Sequence, residues 1–263
     1  MQLIDALGAR HPIAPGARIV SLVPSITELL CTLGLAPQLV GRTGFCIHPK
    51  ELVGAVAKVG GTKDVNLERI RQLAPTHVIV NIDENDKPAA DALAGFVPHM
   101  VVTHPMGPRD NVALARLLGG IFCVSEAAEA WCNAFEAEYA RLRATPKGPV
   151  ATVLYCIWQD PWMSISPDTY IARMLDEIGW RTPRLGTQRY PTFTWNQALL
   201  DEIDCVLLST EPYRFTQTHA DALEKQIGKP VYLVDGEMMS WYGSRALAGL
   251  GYLRELARQR WMG

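Results

Sequence analysis

Apolar positions fall along this chain in short runs separated by amphipathic stretches. Arg18-Ile19-Val20-Ser21-Leu22 has the pattern of a buried strand. Ser25-Ile26-Thr27-Glu28 after it reads as a capping box, with Ser25 accepting from an orphan amide and Glu28 reaching back, for a helix that ends near Gly34. Asn66 caps a second helix whose Leu67, Ile70 and Leu73 share one face, and Pro75 stops it before the strand His77–Asn81. A short helix and the strand Met100-Val101-Val102 follow. Strand and helix in alternation require parallel pairing with right-handed crossovers, hence an α/β lobe.

The second half repeats the plan. It predicts a strand from Val150 to Ile157, a helix from Pro167 behind Ser166 and another from about Trp195. The strands Cys205–Leu208 and Val231–Val234 and a closing helix from Ser244 to Arg260 complete it. Between the halves, Val124, Ala128, Trp131, Phe135, Tyr139 and Leu142 recur at three- and four-residue steps, one stripe of a helix. From Val124 to Arg143 that helix spans about 30 Å at 1.5 Å per residue. It has no proline or glycine pair at which to bend, so little domain closure is expected. The reading is an N-terminal α/β lobe over 1–120, a linking helix over 121–147 and a C-terminal α/β lobe over 148–263, each lobe with a parallel central sheet.

Composition narrows the function. The 263 residues are 48% hydrophobic and 20% charged with a formal net charge of -2, enough to bury a core and without the basic surface that nucleic acid requires. No apolar run approaches the roughly 20 residues of a spanning helix. Of the six cysteines, Cys31, Cys132, Cys156 and Cys205 lie in apolar segments, as reduced core thiols do. The N-terminus shows no basic, apolar and small-residue sequence of a signal. A cytoplasmic place is expected if Met1 is the native start, and a periplasmic chain already cleared of its signal would read the same.

In parallel sheets the ligand-facing loops follow the carboxyl ends of strands. Those loops carry Phe45, Cys46 and His48, then Thr62, Asn81 and Glu84, and later Trp158, Trp162, Glu211, Tyr213, Trp241, Tyr242 and Arg245. Loops fold without tryptophan, so Trp158, Trp162 and Trp241 suggest walls for a large flat ligand, with inter-lobe packing as the other reading. Glu84, Glu211, Glu237 and Arg245 are candidate polar anchors or solvated loop charges. Cys46 and His48 are one residue apart. In an extended segment both point the same way and could meet one soft metal, or else form a buried thiol beside a hydrogen-bonded imidazole. No nucleotide-binding glycine fingerprint, nucleophile elbow or metal-ligand motif accompanies them.

Three stretches together resemble the cobalamin- and metal-chelate-binding receptors of ABC importers. They are Arg18–Glu28 with Val23-Pro24-Ser25, then Val59-Gly60-Gly61 followed by Asn66–Ile70, and Leu73-x-Pro75-x-x-Val78-Ile79. The likeness runs from Arg18 to about Arg258. It implies two α/β lobes on one long backbone helix, and a cleft holding a corrinoid or other metal chelate. It also implies a monomer with no obligatory cofactor and no catalysis. Phe45 and Trp241 look like two of the family's cleft aromatics, whereas Thr62 and Asn81 stand where cobalamin receptors tend to place tryptophan. The family docks on its permease through one surface glutamate per lobe. Glu68 matches the first and Asn196 occupies the second. The alternative is an intracellular enzyme or metallochaperone acting on such a ligand through Cys46 and His48.

Overall fold

The computed structural model describes residues 2–258, which form two compact units. The first gathers the chain up to Pro105 with Arg109–Phe135 and Tyr242–Ser244; the second gathers Met106–Pro108, Glu136–Trp241 and the chain from Arg245 onward. The sequence boundaries had left Tyr242–Ser244 with the C-terminal lobe; the structure packs these three residues in the first unit.

In the first unit the elements are β1 (Ile19–Ser21), α1 (Pro24–Thr32), β2 (Leu39–Arg42), α2 (Lys50–Val53), β3 (Ala57–Lys58), α3 (Leu67–Leu73), β4 (His77–Asn81), α4 (Lys87–Ala94), β5 (His99–Thr103) and α5 (Asp110–Ile121). The strands form one parallel sheet in the order β3-β2-β1-β4-β5, with Val20 opposite Val78 and Val78 opposite Met100. Every residue of β4 is buried, as an inner strand covered on both faces must be. On one side Val20, Leu22, Val59, Ile70, Val78, Val80, Leu93 and Val97 make a continuous core.

The capping box predicted at Ser25 does not form. Val23 is the N-cap of α1 with no side-chain cap, Pro24 occupies the first turn, and the Thr27 hydroxyl donates to the Val23 carbonyl at 2.9 Å. Proline's fixed φ starts the helix two residues earlier than the polar pattern suggests, and Ser25 is left inside the first turn, buried. Asn66 does cap α3, accepting from the Arg69 amide at 2.9 Å.

The long helix is α6 (Ser125–Ala144), twenty residues, and the division between the units falls within it, after Phe135. Its predicted stripe is buried at Ala128, Trp131, Phe135 and Leu142. A Cβ on Gly119 would lie 2.4 Å from that of Ala128, so α5 packs against α6 more closely than any larger residue allows.

The second unit holds β6 (Ala151–Trp158), β7 (Met163–Ser164), α7 (Tyr170–Asp176), β8 (Trp180–Arg181), α8 (Gln197–Glu202), β9 (Cys205–Ser209), α9 (Gln217–Ile227), β10 (Val231–Val234), α10 (Gly236–Ser240) and α11 (Ala246–Arg258). Its sheet runs β10-β9-β6-β7, with β6, β9 and β10 parallel and β7 turned back antiparallel on β6; β8 pairs separately with β6. The helix expected from Pro167 begins instead at Tyr170, because the Thr169 hydroxyl, not Ser166, caps it, accepting from the Ala172 amide. Residues 259 and 260 of the expected closing helix lie outside the described residues. All six cysteines are free thiols, and only Cys123 is exposed. Among the described residues no helix is long and apolar enough to cross a membrane.

Candidate functional site

Each unit presents loops at the carboxyl ends of its parallel strands, and every residue singled out from sequence lies in them or beside them. In the first unit Phe45, after β2, is 63% exposed and its ring edge lies 3.4 Å from where Gly61 would carry a Cβ. Cys46 is turned the other way. Only 1% exposed, its sulfur accepts from the Thr27 hydroxyl at 3.1 Å and pairs with the Thr43 hydroxyl at 3.0 Å. Burial pushes its thiol pKa up, against the lowering by those hydroxyls. The extended segment that would have aimed Cys46 and His48 together is absent. The chain turns here, with the Cys46 amide on the Thr43 carbonyl and the Ile47 amide on the Phe45 carbonyl. Cys46 is therefore a core thiol, while His48 is half-buried on the loop. Among the described residues no group of three His, Cys, Asp or Glu side chains is placed to hold a metal ion.

The loop after β4 is held by its own polar residues. Buried Asn81 accepts from the Asp83 amide at 2.8 Å through Oδ1, so this side chain shapes the turn instead of lining a surface. Asn85, which sequence reading passed over, donates to the Leu22 carbonyl at 3.2 Å and the Thr62 carbonyl at 2.8 Å, joining the loops after β1, β3 and β4. Thr62 is half-buried and enters this network through its backbone. Glu84 accepts a short hydrogen bond from the Tyr242 hydroxyl. Burial lifts its carboxyl from 4.5 to about 7 in spite of that bond, with Asp83 adding to the rise. Tyr242 is itself buried, and the next amide, Gly243, donates to Asn111 Oδ1 at 2.6 Å. Gly243 has φ +80° and a Cβ there would stand 3.2 Å from the Ser25 carbonyl, so glycine alone suits the position. Tyr242 is thus an internal tie of the first unit, not the wall residue expected.

In the second unit the aromatic residues separate into an exposed and a packed set. Trp158, at the end of β6, is 40% exposed and meets Tyr213 edge to face, centroids 5.4 Å apart. Trp162 stacks on buried Phe215 at 5.9 Å and is flanked by Trp195 at 5.4 Å and Phe193 at 6.2 Å. Its ring closes the core around Leu154, Val206 and Leu208. Phe193 was missed, and Trp195 was read only as the start of a helix, because both stand in irregular segments with no periodicity.

After β9 and β10 two loops are fused. The Gly236 amide donates to Thr210 Oγ1 at 2.9 Å, and a Cβ on Gly236 would come within 2.4 Å of Ser209 Oγ and 2.8 Å of Glu211 Cβ. Ser209 receives the hydroxyl of buried Tyr155 at 2.9 Å and donates to the Glu211 carbonyl at 2.5 Å, which fixes the backbone under Glu211. Asp235 caps α10 by accepting from the Met238 amide. Beyond that helix the Arg245 guanidinium lies 4.2 Å over the Trp241 ring and pairs with Glu237. These loops thus offer flat apolar faces beside fixed charges, a surface suited to binding.

A family model described as periplasmic binding protein matches residues 19–226. The chain belongs to the periplasmic binding protein family. Its two α/β units, parallel sheets and long helix are that family's fold. A vitamin B12-binding protein of Pectobacterium carotovorum is 24% identical over 234 residues, 88% of this chain and 84% of that protein. Among solved structures, the periplasmic vitamin B12 binding protein BtuF of Vibrio cholerae matches with a TM-score of 0.76 at 16% identity, covering 94% of this chain and all of its own. The periplasmic heme binding protein HutB of the same organism matches with a TM-score of 0.74 at 20% identity, covering 92% of this chain and 98% of its own. At these identities the two structures speak for the fold. Periplasmic binding proteins are receptors.

Proposed function

We propose that this periplasmic binding protein is a non-catalytic receptor for a flat metal chelate of the tetrapyrrole class, a corrinoid foremost, and that it delivers its cargo to an ABC permease. The observation that carries the reading is the set of partly exposed rings at the carboxyl ends of the second unit's strands: Trp158 braced by Tyr213, and Trp241 backed by Arg245. Broad rigid rings exclude water from a flat ligand at little entropic cost. The Pectobacterium relative and the two Vibrio structures are named for vitamin B12 and heme, ligands of this shape.

Those names also favour the periplasm over the cytoplasm that the N-terminus suggested. Glu68, on α3, is well exposed and available for the permease contact that the family resemblance implies. Burial of Cys46, which raises its thiol pKa, weighs against the enzyme or metallochaperone reading. The test is a titration of the protein with cyanocobalamin, haemin and a ferric siderophore, followed by tryptophan quenching and native mass spectrometry. One tetrapyrrole bound per chain and recovered unchanged is the expected result; binding of none of the three overturns the reading.

A further inference from the structure

The charges of the second unit's loops are unequal. The segments after β6, β9 and β10 carry four carboxylates, Asp160, Glu211, Asp235 and Glu237, against two guanidiniums, Arg214 and Arg245. Arg245 is already engaged: Glu237 takes its Nη1 and the Trp241 ring covers its face, leaving 15% of the side chain exposed. Asp235 is engaged as the cap of α10. Glu211 is different. It is exposed, its carboxylate has no ion pair among the described residues, and its backbone is locked by Ser209 and by the close approach of Gly236. Burial, Glu237 and Asp235 each make its ionised form more costly, with only Arg214 acting the other way. A carboxylate carried on so fixed a backbone, in such a field, accepts hydrogen bonds from amide N–H groups and repels another carboxylate.

Resting on the receptor reading above, we propose that Glu211, seconded by the Glu237–Arg245 pair, is a specificity-determining residue that selects chelates with an amide edge and rejects those with a carboxylate edge. Of the two guanidiniums, Arg245 is neutralised by Glu237 before any ligand arrives, and Arg214 acts on Glu211 itself. Glu211, two residues from Tyr213 and the Trp158–Tyr213 ring pair, supplies the acceptor. Selection therefore operates by repulsion of the wrong edge as much as by attraction of the right one.

The experiment compares ligands with one ring and two edges, haemin with its two carboxylates and the bis-amide of haemin, with cyanocobalamin as the amide-edged corrinoid. Wild type is expected to bind the bis-amide at least tenfold more tightly than haemin, and the ratio should shrink as salt screens the loop charges. Glu211→Gln should reduce that ratio at least threefold, mainly through tighter haemin binding. Haemin bound as well as its bis-amide by wild type, or a ratio indifferent to both salt and Glu211→Gln, overturns the proposal while leaving the receptor reading intact. Failure of all three ligands to bind wild type overturns the receptor reading, and the proposal with it.

Discussion

Two tryptophans that look alike in sequence have different work in the structure. Trp241 keeps part of its ring in the open with Arg245 behind it, so Trp241→Ala should weaken tetrapyrrole binding by about 1–3 kcal/mol with little change in melting temperature. Trp162 stacks on Phe215 in the core, and Trp162→Ala should instead lower stability by about 2–3 kcal/mol, measured by denaturant unfolding without ligand. Reversal of these two outcomes would exchange their roles. Two titrating groups in the first unit act in opposite directions. Glu84 has its carboxyl raised by burial from 4.5 to about 7, so the folded state holds its proton more tightly; its stabilisation is complete below pH 4.5 and is lost as pH rises to 7. His77, kept neutral by burial and by His99 and His11, has its imidazole lowered from 6.5 to about 4. Its stabilisation is complete above pH 6.5 and is lost as pH falls to 4. Each amounts to about 3 kcal/mol at most, and between pH 4.5 and 6.5 the two slopes oppose one another. Glu84→Gln removes one of them. Stability of the variant should climb more steeply with pH over that window than wild type, and parallel curves would show that Glu84 titrates normally.

At the scale of elements, Gly236 joins β10 to α10 where no Cβ fits between the loops after β9 and β10. Gly236→Ala should press on Ser209 Oγ and the Glu211 backbone and cost about 1–3 kcal/mol of stability, with weaker tetrapyrrole binding as Glu211 shifts; unchanged stability would mean the loops can part freely. Elements with strong patterning were legible from sequence: α6 within a residue at each end of the Val124–Arg143 stripe, though shorter than the 121–147 linker, and β4, β9 and β10 from their continuous apolar runs. Short elements were not. β2 contains Gly41, where a Cβ would crowd Leu73 and Val20, and β3 is two residues long, so neither carries an alternating pattern. The first turn of α1 misled for a physical reason, since Ser25 and Glu28 have the spacing of a box but Pro24 sets the start. The candidate site was legible as a set of loops, because strand ends locate them. Which side chains face outward was not, because Cys46, Asn81 and Tyr242 find partners far along the chain: Thr27 for the thiol, Thr103 for the amide and Glu84 for the hydroxyl.

For the whole molecule, a receptor has to be stable without its cargo and more stable with it. Each unit has its own core, one around Val20, Ile70 and Val78 and the other around Leu154, Val206 and Phe215, so neither depends on ligand to bury its apolar surface. Ligand binding then adds to a native state that already exists, and its effect follows from mass action alone. At a free concentration 100 times Kd the native state gains about 2.7 kcal/mol, and at 1,000 times about 4.1. For a chain of this size each kcal/mol raises the melting temperature by about 2–4 °C. Cyanocobalamin at the lower excess should therefore raise the melting temperature by about 5–10 °C, and each further tenfold should add a constant increment. A chain using ligand as part of its core would behave differently, with no cooperative transition in its absence. Differential scanning calorimetry over three decades of cyanocobalamin separates the two cases. A cooperative ligand-free transition that climbs linearly with the logarithm of ligand concentration is the outcome a preformed receptor requires, and absence of that transition would place the ligand among the determinants of folding.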